Sequence, residues 1–363
     1  MGGAVILLPP HEQWRQWNGR PPADTEDLEQ PYRLLAERGY QYERVDLNAF
    51  PKNPAARAHP LFKAIDPLRA LAILTRKRRT MVAICFFESA ALVLLMLRRL
   101  FLFRGKVIVV DLGLPDWRPR KILLDFVVPR ADAILPYSVA QANAIRTTWP
   151  SAKLVVPVQA QVDVTFFVEA ADQADGPVLA IGDDRSRDYG TLLQSATTIL
   201  HPVVIRSRLI APISGLPNVS ILSSALPYTA YRDLLATASI IVLPLHPQVN
   251  GGGTSVIVQA MASGKAVVVS ASPGVVDYVE DGVTALVVPC HDPVALAAAV
   301  NRLLTDHDLR RRMGKAARAR AIQFNSYAAW ADTLERVITQ VTAAEPVPNQ
   351  AEARPAEIAP RKG

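Results

Sequence analysis

The segment NGGGTSVIVQAMASGKAVVVS, residues 250–270, decides the fold of this chain. Three glycines and two hydroxyl residues precede a short apolar run, and Gly264 separates that run from a valine-rich one. The first run predicts a helix that ends at the glycine, and the second predicts a buried strand. Because the apolar strand ASIIVLPL comes just before, the glycine loop is predicted at the carboxyl end of a parallel strand, where open α/β folds bind ligands.

The glycine loop has the composition of an anion-binding site. Its glycines let the backbone approach a ligand closely, and Thr254 or Ser255 is predicted to cap the helix that follows. The N–H groups and the positive dipole end at that helix start suit a phosphate or diphosphate. Gln259 is predicted one turn further on the same face, within reach of sugar hydroxyls. The alternative is a glycine-rich connection without a ligand, in which Gln259 is a partly exposed helix residue.

A second turn, in AIGDDRSRDYGTLL (180–193), follows another predicted strand. Gly182 lies in this turn, and Arg185 and Arg187 lie in it or beside it. Arginines at a neighbouring strand end can clamp the diphosphate that the glycine loop binds. The alternative is that these arginines form surface ion pairs with the nearby aspartates.

The composition fits two α/β domains in a reducing compartment. The chain has 363 residues, 50% of them hydrophobic, which is enough for two cores. Apolar runs alternate with helical ones, as in doubly wound parallel sheets, and the two series meet near residues 158–175. Cys85 and Cys290 lie far apart, so the sequence has neither a disulfide framework nor a zinc-ligand spacing. The N-terminus lacks the features of a secretory signal, and the compartment expected is the cytoplasm.

Basic charge and apolar surface are expected on the first domain. The formal net charge is +7, and the basic excess lies in residues 1–160, on both sides of the apolar segment 81–103. That segment is too often interrupted by charge to span a membrane, and it predicts a buried strand over 81–87 and an apolar helix over 89–100. The helix is either core or a face for membrane or lipid, and an anionic membrane surface is favoured over nucleic acid. The basic residues of this face are Arg76, Lys77, Arg78, Arg79, Arg98 and Arg99.

The two turns belong to a longer ordered series of motifs. RADAILPYSVAQANAI and RDYGTLLQSA precede GGGTSVIVQAMASGKAVVVSASPGVVDYVEDGVTALVVPCHDPVALAAAVNRLL, and the series spans about residues 107–304. The series resembles the nucleotide-sugar-dependent glycosyltransferases of family 4, and its last stretch is similar to the family's donor-binding signature. The resemblance implies the GT-B fold, an α/β architecture of two facing Rossmann-like domains with parallel sheets. The implied parts are an acceptor-binding domain (1–163), a donor-binding domain (164–325), a helix that packs back on the first domain (326–342) and a disordered tail (343–363).

The resemblance also implies a reaction. A sugar is transferred from a nucleoside diphosphate donor to a hydroxyl acceptor with retained anomeric configuration, and neither a cofactor nor a metal is expected. The acceptor is expected to be lipid-linked or a glycan, in cell-surface polysaccharide or glycolipid synthesis at the inner face of a bacterial membrane. The residues expected to bind the donor are Gly182, Arg185, Arg187, Gly251, Gly252, Gly253, Thr254, Ser255 and Gln259.

Some positions depart from the family pattern. The motif has two glutamates eight residues apart, and here those positions hold Gly251 and Gln259. Gln259 keeps an acceptor oxygen for ribose hydroxyls, whereas Gly251 offers no side chain near the transferred sugar. A family histidine is also missing, and Asp111 and Asp116 are the polar residues nearby. The catalytic candidates are Asp111 and Glu88, and Glu88 is either a general base or a buried structural carboxylate.

Three functions fit these residues. An active, membrane-peripheral glycosyltransferase is favoured because the order of strand, loop and helix in the donor site is intact. A non-catalytic nucleotide-sugar-binding relative, acting as a scaffold subunit, would keep the nucleotide site without the carboxylates. A GT-B nucleotide-sugar epimerase needs several acidic residues around the sugar, so the absence of both glutamates disfavours it.

Overall fold

Two parallel β-sheets organise the chain, as the alternation of apolar and helical runs predicts. The computed structural model describes residues 4–8, 26–27, 29–45, 67–74, 81–114, 118–199, 201–211 and 213–343. Helices pack on both faces of each sheet, because the central strands are apolar and must bury both of their sides.

The first sheet occupies the N-terminal part of the chain. Its strands are β1 (Ala4–Leu8), β2 (Gln41–Arg44), β3 (Met81–Phe86), β4 (Lys106–Val110) and β5 (Ala133–Leu135). They pair in parallel in the order β2-β1-β3-β4-β5. The α-helices in the described part of this half are α1 (Gln30–Glu37), α2 (Pro67–Leu74), α3 (Phe87–Arg99), α4 (Arg118–Val127) and α5 (Val139–Thr148).

The apolar segment 81–103, which is too often interrupted by charge to span a membrane, contains β3 and α3. Ala91, Leu92, Leu94 and Leu95 of α3 are buried in the core of the first sheet, so this face of the helix is core. Across the ranges that the structure describes, every helix falls short of the length and apolarity that crossing a membrane requires.

The second sheet carries the glycine loop. Its strands are β6 (Val178–Ile181), β7 (Val203–Arg206), β8 (Val219–Leu222), β9 (Ile240–Leu243), β10 (Ala266–Ser270) and β11 (Leu286–Val288). They pair in parallel in the order β11-β10-β9-β6-β7-β8. The helices are α6 (Tyr189–Ala196), α7 (Tyr228–Thr237), α8 (Thr254–Ala262), α9 (Pro293–Thr305), α10 (His307–Asn325) and α11 (Tyr327–Thr342). Since β6 and β9 are neighbours, the loops that follow them lie side by side.

The chain passes between the sheets at two adjacent places in its described part. Val162 N donates to the carbonyl of Asn325 at 2.8 Å, and Val162 also pairs with Ser326 in a parallel bridge. Beyond this crossing, α11 lies against the first sheet, where Trp330 is buried in the same core as Leu35 of α1. The last helix of the described residues thus belongs to the packing of the first half.

Candidate functional site

The glycine loop leads directly into α8 at the carboxyl edge of the second sheet. Gly253 is the N-cap residue, with φ of 95°, and in the described structure no side chain caps the helix start. Thr254 and Ser255 are already the first two helical residues, so the prediction that one of them caps the helix is wrong. Thr254 Oγ1 donates instead to the carbonyl of Gly251 at 2.9 Å. Thr254 N donates to the carbonyl of Gly251 at 3.3 Å. Without a side-chain cap, the N–H groups of Ser255 and Val256 at the start of α8 are therefore the ones available to an anion.

Arg187 lies beneath the glycine loop. Its side chain is 2% exposed, and Nε donates to the carbonyl of Ile181 at 3.2 Å. A Cβ at Gly182 would lie 2.3 Å from Arg187 Nε, and a Cβ at Gly253 would lie 2.7 Å from Arg187 Nη1. Both glycines also have positive φ, so larger residues at either position would meet the guanidinium as well as backbone strain. The arginine therefore joins the turn after β6 to the loop before α8.

The other charged residues of the β6 turn differ in whether they form ion pairs. Arg187 pairs with Asp184 at 3.2 Å, whereas Arg185 is exposed and forms no ion pair with any residue that the structure describes. The carboxylate of Asp183 accepts from Arg206 Nη1 at 2.6 Å and from Arg208 Nε at 2.9 Å. Partial burial opposes its ionisation, but these bonds and the Arg208 N–H hold the pKa of Asp183 below its usual value. The sequence interpretation missed Arg206 and Arg208, although VVIRSR places both at a strand end beside β6.

Gln259 is held by two tyrosines of α7. Its Oε1 accepts from the Tyr231 hydroxyl at 2.6 Å, and its Nε2 donates to the Tyr228 oxygen at 2.9 Å. The two rings stack with centroids 5.7 Å apart, and Phe166 stacks on Tyr228 at 5.4 Å. Gln259 is 8% exposed, so the alternative of a partly exposed helix residue is wrong. One lone pair and one N–H of the amide remain beyond these two bonds, as ribose binding would require.

A buried carboxyl group from the N-terminal part of the chain completes this network. Glu26 hydrogen bonds with the Tyr228 hydroxyl, and its Oε1 accepts from Asp163 N at 3.4 Å. Burial raises the pKa of Glu26 to about 7. Because Gln259 already donates to the Tyr228 oxygen, the hydroxyl proton of Tyr228 is directed towards Glu26. A carboxyl group therefore lies one tyrosine away from the position where the family motif has its second glutamate, and no sequence pattern marks it.

The glycine loop also touches the first half of the chain. Ser138 Oγ donates to the carbonyl of Val249 at 3.3 Å. A Cβ at Gly251 would lie 3.4 Å from the Cβ of Tyr137. The position of the first motif glutamate thus lies at the contact between the two halves, on the side that faces β4 and β5.

Asp111 is the catalytic candidate whose side chain the structure describes. It follows β4 with φ of 55°, and its Oδ1 accepts from Gln141 Nε2 at 3.3 Å. Burial first, and then the charge of Asp111, raise the pKa of Tyr137. Glu88 lies in the first turn of α3, but its side chain and the whole of Asp116 lie outside the described structure.

The predicted basic face is only partly described. Arg98 was predicted on the membrane or acceptor face; its side chain is 15% exposed and pairs with the buried carboxylate of Asp132, so its charge is directed into the protein. The physical reason is that a buried carboxylate requires a counter-charge. Arg99 lies over the Phe126 ring, 5.1 Å from its centroid. The remaining residues of this face lie outside the described residues, and they are Arg76, Lys77, Arg78 and Arg79.

The second half of the chain matches a known family. Residues 208–320 match the family model described as glycosyl transferases group 1. This stretch of the chain is therefore similar to a glycosyltransferase group 1 domain. The matched region includes the glycine loop and α8, whereas β6 and Arg187 come before it.

Curated relatives match parts of the chain. A D-inositol 3-phosphate glycosyltransferase of Acidothermus cellulolyticus is 29% identical over 133 residues, which are 37% of this chain and 28% of the relative. The same enzyme of Kribbella flavida is 33% identical over 133 residues, 36% of this chain and 31% of the relative. An alpha-maltose-1-phosphate synthase of Mycolicibacterium smegmatis is 28% identical over 254 residues, 60% of this chain and 65% of the relative. The chain thus covers less than a third of the first two relatives.

Solved structures match nearly the whole chain. A sucrose-phosphate synthase from Thermosynechococcus elongatus superposes with a TM-score of 0.71 and 19% identity, over 94% of this chain and 100% of that chain. Anabaena HepE in complex with UDP-glucose superposes with a TM-score of 0.62 and 15% identity, over 93% of this chain and 99% of that chain. At these identities the likeness shows the fold alone. The predicted GT-B fold is confirmed.

Glu26 generates a prediction about pH. The folded pKa of about 7 lies above the ordinary value of 4.5, so folding binds a proton between these values. The stability contributed by protonated Glu26 is complete below about pH 4.5 and is lost as the pH rises through about 7. We expect wild type to lose on the order of 3 kcal/mol of unfolding free energy relative to Glu26→Gln between pH 5 and pH 8, measured by urea unfolding. Identical pH profiles for the two proteins would contradict the buried, titrating carboxyl.

The hydrogen bonds of Gln259 and Glu26 to Tyr228 lead to a second prediction, in which a substitution at position 26 compensates for one at position 259. In Gln259→Glu the new carboxylate cannot donate, so it accepts the hydrogen bond of the Tyr228 hydroxyl. Glu26 must then stay protonated in order to donate a hydrogen bond to the Tyr228 oxygen. We expect Gln259→Glu to lower the unfolding free energy at pH 8 by about 1–3 kcal/mol. The double variant Glu26→Gln/Gln259→Glu should recover most of that loss, because the amide introduced at position 26 donates to Tyr228 without needing a proton from solvent. Gln194→Glu, at an exposed position of α6, is the control, and a loss as large in this control would refute the pairing.

Proposed function

We propose that the protein is a retaining glycosyltransferase of the family 4 type, which transfers a sugar from a nucleoside diphosphate-sugar to a hydroxyl acceptor. The observation that carries the proposal is the open start of α8 at Thr254 together with the buried guanidinium of Arg187 against Gly253. Helix N–H groups and an arginine together are suited to a diphosphate. The names of the relatives support sugar transfer, and the HepE structure holds UDP-glucose.

Departure of the diphosphate is the step that these groups assist. As the bond from the anomeric carbon to the diphosphate oxygen breaks, negative charge builds on the diphosphate. The N–H groups of α8 and the Arg187 cation stabilise that charge more than they stabilise the intact donor, which lowers the barrier. The acceptor attacks on the same face, and the leaving phosphate oxygen takes the acceptor proton. This route gives retention without a side-chain nucleophile and without a metal, so it is compatible with glycine at position 251.

The nucleoside end of the donor is assigned to the network around Gln259. Its amide has the remaining hydrogen-bonding capacity to bind a ribose hydroxyl, and the stacked Tyr228 and Tyr231 fix its orientation. Exposed Arg185 adds a second cation on the diphosphate side of the turn. The donor would thus extend from the helix start towards α7.

The acceptor is assigned to the first half of the chain, at an anionic membrane surface. An apolar turn, residues 100–102, follows α3, and Arg99 and Arg104 flank it. The exposed apolar residues of this face are Leu100, Phe101, Leu102, Ile122 and Phe126. Apolar side chains that enter the lipid boundary and arginines that contact anionic headgroups together bind a protein peripherally. A lipid-linked acceptor in polysaccharide or glycolipid synthesis, on the cytoplasmic face, fits this surface.

A non-catalytic, donor-binding scaffold is the second candidate. It is favoured by one observation at the place where the family has a glutamate: a Cβ on Gly251 would lie 3.0 Å from Thr254 Cγ2 and 3.4 Å from Tyr137 Cβ, so a side chain has little room there. Calorimetry with UDP-, GDP- and ADP-sugars, combined with product analysis on lipid acceptors, distinguishes the two functions. Donor binding without hydrolysis or transfer on any acceptor supports the scaffold, and turnover supports the enzyme.

Arg187 generates the prediction for donor binding. Arg187→Ala removes the cation beneath the loop, and we expect the affinity for the nucleotide-sugar that binds wild type to fall at least about tenfold, by calorimetry. Arg185→Ala, at an exposed position that packing does not depend on, should lower it by about threefold to tenfold. Arg311→Ala on exposed α10 is the control and should bind as wild type does. Unchanged affinity in both Arg187→Ala and Arg185→Ala would refute the diphosphate assignment.

Phe101 generates the prediction for the membrane. Its side chain is 78% exposed, and that of Val294 on α9 is 77% exposed, so the two positions form a matched pair. We expect Phe101→Asp to reduce binding to vesicles rich in phosphatidylglycerol about tenfold or more in flotation assays, because burying a phenyl ring is worth about 1.5–3 kcal/mol. Val294→Asp should leave binding unchanged. Neutralising Arg76, Lys77, Arg78 and Arg79 should release the protein too, and equal binding by all variants would place the contact elsewhere.

A further inference from the structure

Three side chains of metal-binding type converge behind the β6 turn. Asp188 follows β6, His246 follows β9 and His291 follows β11, so three separate strand ends supply them. The proposed transfer reaction uses none of the three. Because they lie far apart in sequence, no spacing of cysteines or histidines marks the cluster.

The distances within the cluster are close to those of a metal site. His291 Nδ1 lies 2.7 Å and His246 Nδ1 lies 3.9 Å from Asp188 Oδ2. The three potential ligand atoms all lie within 4.8 Å of one another. Ligands bound tetrahedrally to zinc at about 2.0–2.2 Å are separated by roughly 3.3 Å. Small rotations of the two exposed imidazoles are therefore sufficient to bring the three atoms around one ion.

The carboxylate of the cluster is fixed in advance. Asp188 is 6% exposed, and it accepts from Thr191 N at 3.0 Å and from Thr191 Oγ1 at 2.6 Å. These bonds also make it the N-cap of α6. Metal-binding side chains are usually oriented by such outer hydrogen bonds, which raise the affinity of the site.

The backbone that carries the two histidines is also restrained. His246 N donates to the carbonyl of Ser186 at 2.9 Å, within the antiparallel bridge between Arg187 and Leu245. His291 has φ of 61°, a conformation that costs a residue with a Cβ roughly 1–2 kcal/mol. At this position the imidazole is turned towards Asp188, and a glycine would have the same backbone without strain.

We propose that Asp188, His246 and His291 bind one divalent transition metal of the zinc class. Two imidazoles and one carboxylate suit zinc, nickel or copper, whereas magnesium and calcium prefer oxygen ligands alone. The bound ion would join the loops after β6, β9 and β11, and the first of these loops carries Arg187. The metal thus stabilises the protein behind the donor site and takes no part in the transfer step.

Zinc binding to the purified, chelator-treated protein tests the proposal. We expect calorimetry to show one zinc ion per chain and thermal unfolding to shift upwards with zinc but not with magnesium. His246→Ala and His291→Gly should each weaken zinc binding at least about tenfold, since even outer-shell changes cost about 10–100-fold. Glycine is chosen at position 291 because it keeps the left-handed backbone. Cobalt should give the intense visible absorption of a tetrahedral or five-coordinate site in wild type only.

A control variant and two possible results decide whether the proposed metal site exists. His307→Ala, at an exposed histidine on α10, should bind zinc as wild type does. Absence of zinc binding in wild type would overturn the proposal and leave Asp188 and His291 as a hydrogen-bonded pair. Binding that survives His246→Ala and His291→Gly but is lost in Cys290→Ser would also overturn it, because the metal would then lie on the thiol. None of these measurements depends on sugar transfer.

Discussion

One buried cation determines the geometry of the candidate donor site. The Arg187 guanidinium fills the space that side chains would occupy at Gly182 and Gly253, so it holds the turn after β6 against the loop before α8. Positive φ at both glycines lets the backbone close around it. The open start of α8 and this cation are therefore set in place before a ligand binds, which is the arrangement that stabilises charge most effectively.

The acidic residues around the site are each matched to a partner. Asp183 is held by Arg206 and Arg208, and Asp184 pairs with Arg187. Among the described residues, the carboxyl group linked to Gln259 through Tyr228 is that of Glu26, and burial raises its pKa. The described carboxylates of the β6 turn are thus neutralised by arginines, which favours the proposed binding of an anionic donor there.

Much of the fold could be predicted because the periods of strands and helices are local properties of the sequence. β3 and α3 begin and end within two residues of their predicted limits, and the glycine loop follows a strand as expected. The environments of single polar residues were harder to predict, because their partners are distant in the sequence. Arg98 is 34 residues away from Asp132, and Glu26 meets Asp163 only in the folded chain. The N-cap was misassigned because the conformation of Gly253, rather than a hydroxyl, starts α8.

The paired crossing at Val162 and Ser326 has a mechanical consequence. The backbones of the two connections are hydrogen bonded side by side, with Asn325 Nδ2 also donating to the carbonyl of Ala160 at 2.9 Å. Any change in the angle between the two sheets would have to bend both connections together, because they are bonded to each other where the described chain passes from one sheet to the other. The contact of Ser138 with Val249 would lengthen or shorten with that angle, so the glycine loop would respond to it.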